Sequence, residues 1–156
     1  MAAETAMVKP TNKIVLDSKG IHLQTKKIET VTNCYAGRLV KKGTNDDDVA
    51  AGAAGTDKVY GWLGYEQTRK DHRPATVDTI YLVNAQVTVI NGPGIILNAF
   101  LEVGAANIVK GDFLTCGALG GVSGMTLGGT SVVCAIAEET DTGAAGGVDL
   151  LVRSVL

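Results

Sequence analysis

Aromatic side chains are scarce: one Trp, four Tyr and two Phe make up 4% of the 156 residues. A core built around large rings is therefore excluded. The work falls to Val, Ile, Leu and Ala, whose burial contributes about 25 cal/mol per Å² of apolar surface. Proline is rarer still, at 3 residues, whereas glycine reaches 20. So much glycine raises the entropy lost on folding. The expectation is a domain of modest intrinsic stability that gains from subunit contacts. Cys34, Cys116 and Cys134 are the only cysteines, and no Cys-x-x-Cys occurs. The odd count argues against a disulfide framework and rules out a simple zinc ribbon, leaving buried reduced thiols as the expected state. A net charge of −2 and scattered basic residues argue against direct nucleic-acid binding, which needs a basic face.

Long apolar runs are missing too. The two longest uncharged stretches are broken by Asn84, Gln86, Asn91 and Asn98 in one case and by six glycines in the other, so neither reads as a membrane helix. The start has no basic segment followed by an apolar run, and synthesis in a reducing cytoplasm is expected.

Reactive constellations are equally absent. His22 and His72 are the only histidines, and no Gly-x-Ser-x-Gly elbow accompanies them. Asp46-Asp47-Asp48 is the one acidic cluster; consecutive carboxylates diverge, and the spaced pattern of a calcium loop is lacking. No phosphate loop is present. Catalytic, metal and cofactor-binding residues are accordingly not assigned, and no enzyme activity is expected.

What remains is a rhythm of short β-branched runs separated by Gly-rich turns. Strands are expected near 29–32, 38–40, 59–65, 79–83, 86–90, 95–103, 112–115, 131–138 and 148–156. Residues 79–83 and 86–90 are expected to pair with each other. Residues 43–57 and 117–129 are expected to be loops. The fold class that follows is all-β, a small β-barrel or β-sandwich with an extended N-terminal arm. The arm is placed at 1–30 and the barrel or sandwich domain at 31–156. A weak internal repeat relates Gly37-Arg38-Leu39-Val40 to Gly111-Asp112-Phe113-Leu114, and the segment ending at Thr68 to the segment ending at Thr140.

Candidate interface residues are the apolar patches of the arm, Met7, Val8, Ile14, Val15 and Leu16, together with Tyr60 and Trp62. Trp62 is the foremost anchor, of an interface or of the core, and the arm patches are expected to pack on their own domain or on a neighbour. Tyr60, Trp62 and Tyr65 also raise the alternative of a glycan-binding β module.

Five motifs occur in order: Ala36 to Val40, Gly61 to Gly64, Val109 to Leu114, Val133 to Glu138 and Gly146 to Arg153. In this order they resemble the small capsid decoration, or cement, proteins of tailed viruses and related proviruses, over residues 36–156. Cys134 stands where that family usually has Gly, and the 43–57 loop is longer than the pattern. The resemblance implies a compact β-barrel, commonly a homotrimer, seated on the outer surface of the virion. Its partners would be itself and the major capsid protein, with no membrane and no cofactor involved. A major shell, tube or spike subunit is the alternative with the same composition. An arm that orders only on the particle is a further expectation, so that deleting it would abolish capsid binding and spare the domain.

Overall fold

A computed structural model describes residues 12–102, 107–125, 129–141 and 148–156. These residues form eleven strands and no helix. The strands are β1 (Val15–Asp17), β2 (His22–Ile28), β3 (Leu39–Lys42), β4 (Asp48–Ala51), β5 (Val59–Leu63), β6 (Gln86–Asn91), β7 (Ile96–Leu101), β8 (Phe113–Cys116), β9 (Val122–Gly124), β10 (Ala135–Ala137) and β11 (Val148–Ser154). Strands β2 to β6 close a barrel in the order β2-β4-β3-β5-β6. Strands β7 to β11 close a second one, because the sheet β7-β11-β10-β8-β9 is completed by a β7–β9 pairing. β1 adds to the second barrel along β7.

The two barrels are the same object twice. Each uses five consecutive strands, and the first and third of the five pair in parallel while every other pairing is antiparallel. Registers match as well. Ile28 pairs with Val49, and 73 residues on Leu101 pairs with Val122. The Gly37 N–H donates to Leu63 O, and 74 residues on the Gly111 N–H donates to Ala137 O, both at 2.8 Å. Both glycines have left-handed backbone, with φ of 78° and 98°. That conformation is costly for any residue with a Cβ. The repeat in the sequence is therefore a duplicated fold, although its ending is registered two residues away from the 72-residue spacing that Thr68 and Thr140 suggest. The halves part company between the fourth and fifth strands. Trp62 corresponds to Ile136 at a spacing of 74, but Ile90 corresponds to Arg153 at 63. The first barrel thus carries a connection, residues 64–85, that is eleven residues longer than its counterpart.

Each barrel has its own filling. Ile28, Val40, Val49, Leu63, Val87 and Val89 pack inside the first, joined by Cys34 and Tyr81. Leu97, Leu101, Leu114, Val122, Leu150 and Val152 fill the second. Strand alternation turns Leu39, Trp62 and Ile90 to the outside of the first barrel. There all three are fully buried, in one cluster with the second barrel's core. A buried apolar seam between the barrels results.

Several expected elements fall elsewhere. The paired strands 79–83 and 86–90 do not form: 79–85 is turn and coil, and β6 pairs instead with β2 and β5. The residues expected to be loops contain β4 and β9. Residues 29–32 lie just past the end of β2. Residues 12–30 are not an extended arm. β1 and β2 lie within that stretch, and β2 pairs with six residues of β6. Deleting 1–30 would open the first barrel, which replaces the expectation that the domain survives the deletion.

Candidate functional site

Among the described residues, the buried polar groups serve as braces. Arg38 lies at the seam, with its guanidinium 3.9 Å from the Phe100 ring centroid and 4.9 Å from that of Tyr35. It donates to Leu119 O at 2.5 Å. Burial pulls its pKa down from the ordinary arginine value, and the negative charge of Glu102 opposes that shift. Glu102 Oε1 accepts the N–H groups of Leu119 at 2.6 Å and Gly121 at 3.1 Å. The β8–β9 turn is thereby held on one side by Arg38 of the first barrel and on the other by Glu102, just past β7 of its own barrel. A second brace is Glu66, whose Oε1 accepts from the Ile14 and Val15 N–H groups at 2.9 and 3.0 Å.

Burial raises the pKa of all three thiols, to about 12 for Cys116 and about 11 for Cys134, so the nucleophilic thiolate is suppressed. His72 Nδ1 accepts the Gln86 N–H at 3.3 Å, and His22 sits on the exposed strand β2. The acidic triplet does diverge. Asp46 pairs with Lys42 and Asp47 with Lys26, whereas the buried Asp48 takes Asn45 Nδ2 at 2.7 Å and Lys27 at 3.2 Å. The Asn45 hydrogen bond is the main cause of its lowered pKa. Among the described residues no group of three or more His, Cys, Asp or Glu side chains is arranged to hold a metal.

Of the residues expected to anchor an interface or the core, those among the described residues are engaged within the chain. Met7 and Val8 lie outside the described residues. Ile14 and Val15 are buried beside the second barrel, with Leu16 half-buried next to them. Tyr60 is half-buried against the first core. Trp62 is fully buried in the seam, where its Nε1 donates to Ser154 Oγ at 2.9 Å. Tyr65 is buried as well, its hydroxyl donating toward the backbone of residues 74 and 75. An exposed aromatic platform of Tyr60, Trp62 and Tyr65 does not exist, and the glycan-binding alternative loses its basis.

Two surfaces that the composition did not single out are open. One is the long 64–85 connection, which ends with Leu82 at 75% and Val83 at 53% exposure, beside a shallow pocket of about 230 Å³ lined in part by His72, Arg73 and Ile80. The other is the outer row of the second barrel, where Phe113, Ile136 and Arg153 stand side by side across β8, β10 and β11. Phe113 is 49% exposed and Arg153 is exposed, with an ion pair to Glu138. The sequence signal for this row was the repeat itself, since aligning Gly37–Val40 with Gly111–Leu114 sets Phe113 opposite Leu39. No protein-family model matches the chain, and no curated protein is similar to it.

Proposed function

We propose that the protein is a structural subunit, a capsid decoration protein that seats on the outer surface of a viral shell and bridges its capsomers. One observation carries the reading. The motifs that resemble the cement proteins fall on barrel strands and their entry turns: the Lys110-Gly111-Asp112 turn leads into β8, Val133–Glu138 spans β10, and the closing Val148–Arg153 is β11. The distribution of polar groups supports it, because Arg38, Glu66 and Glu102 are engaged in holding segments together. A body of two barrels sharing one buried cluster offers surface and shape, and repeated weak contacts on a shell multiply into avidity. Homotrimer formation and contact with the major capsid protein belong to the same proposal. The test is to mix purified protein with bare capsids of the virus or provirus that carries its gene. Saturable coating seen by electron microscopy is expected. Self-assembly of the protein alone into tubes or closed shells would favour the shell or tube reading, and capsids left bare at saturating protein would end the proposal.

A further inference from the structure

We infer that the outer row of the second barrel, Phe113, Ile136 and Arg153, is the docking face for the first barrel of a second copy, joined head to tail. The starting point is the duplication. Leu39, Trp62 and Ile90 of the first barrel correspond one for one to Phe113, Ile136 and Arg153 of the second. The first row is 0% exposed because a barrel of the same topology covers it. Among the described residues the second row has no such cover: Phe113 is 49% exposed and Ile136 only half-buried. The face that forms the seam in one half of the chain is thus vacant in the other.

The turn in the complementary half of the junction is exposed as well. The second barrel covers the first row with its β8–β9 turn and the end of β11. The Leu39 N–H donates to Gly120 O at 2.7 Å, and Trp62 reaches Ser154. The counterparts on the first barrel are the β3–β4 turn, residues 43–47, and Asn91 at the end of β6. In that turn the Asp46 and Asp47 side chains are 92% and 93% exposed. Arg153 on the facing row carries the opposite charge; each of the three is paired within its own barrel, Asp46 with Lys42, Asp47 with Lys26 and Arg153 with Glu138, so docking exchanges these ion pairs for ones across the junction. One chain therefore presents the two halves of its own seam at opposite ends. Such a contact is heterologous, and it closes into a ring or propagates into a filament according to its rotation.

This inference rests on the self-association within the proposed function, but it is tested apart from capsid binding. The masses of full-length wild type, Phe113→Asp and a double variant Asp46→Lys with Asp47→Lys would be measured by light scattering after size exclusion. Circular dichroism spectra would show that each is folded. Ile136→Lys replaces Phe113→Asp if the latter misfolds. Wild type is expected to be an oligomer and each variant a monomer. Mixing the two variants is expected to produce a dimer and nothing larger, because together they retain one intact junction. A monomeric wild type, a Phe113→Asp protein of wild-type mass, or a mixture that stays monomeric would overturn the inference. A Phe113→Asp oligomer that no longer coats capsids would assign the face to the shell instead. A monomer that still coats capsids leaves the proposed role standing, whereas an oligomer that ignores capsids removes the role and leaves this face.

Discussion

Replacing Trp62 with alanine tests the seam directly. The indole is fully buried between the barrels, and its Nε1 donates to Ser154 Oγ at 2.9 Å. Truncating a buried large aromatic costs about 3–5 kcal/mol, since contacts are lost and the cavity relaxes only in part. The hydroxyl left behind still accepts the Leu156 N–H at 3.2 Å, so the lost hydrogen bond adds little. For a chain of this size each kcal/mol lowers the melting midpoint by about 2–4 °C, which places the Trp62→Ala shift at roughly 6–20 °C. Trp62→Phe keeps one ring and is expected to lose less than half as much. The assay is urea denaturation followed by circular dichroism, because Trp62 is the sole tryptophan and its fluorescence disappears with it. A loss below about 1 kcal/mol for Trp62→Ala, within the range of surface substitutions and minor contacts, would refute the packing of the indole between two barrels.

Two further outcomes are expected. Gly37→Ala should destabilise more than Gly111→Ala. Both substitutions force a Cβ into left-handed backbone at about 1–2 kcal/mol, but at Gly37 the new atom would also lie 2.9 Å from Asn98 O, whereas at Gly111 it meets open space; equal losses by thermal melting would contradict this. Stability should also fall as pH rises above about 9. Burial holds the pKa of Cys116 at about 12, of Cys134 at about 11 and of Tyr81 at about 12 in the folded state. The unfolded thiols release their protons near pH 8.5 and the phenol near 10. Between these values the unfolded state binds fewer protons than the folded one, and the contribution present below pH 8.5 is lost progressively. Urea midpoints from pH 7.5 to 11 check this: Cys116→Ala should flatten the slope, and a pH-independent midpoint would count against buried thiols.

The all-β class was legible because β-branched runs and glycine turns leave no helical periodicity, and β3, β5, β6, β8 and β11 lie where those runs are. β4 and β9 were missed for one shared reason. Asp-Val-Ala-Ala and Val-Ser-Gly are made of small residues in glycine-rich surroundings. They become strands because the parallel pairings Ile28–Val49 and Leu101–Val122 complete the barrels, a long-range event that local propensity does not encode. β2 was missed differently. His22 to Lys27 is polar but for an exposed Leu23, and only Ile28 enters the core. Its ladder to β6, rather than an apolar face, makes it a strand. Trp62 was legible as an anchor by its size, but what it anchors depends on which barrel face points at the other barrel. Phe113 was hidden because its exposure acquires meaning only beside the buried Leu39.

β1 has a consequence for biosynthesis. Each barrel is a contiguous stretch of chain, so the first has all five of its strands as soon as residue 91 has emerged and need not await the second. Residues 15–17, by contrast, are made before either barrel but dock on β7 of the later one, with Val15 opposite Leu97. This segment cannot complete its pairing until β7 has emerged, so it waits on the first strand of the second barrel even though Glu66 can already accept its N–H groups.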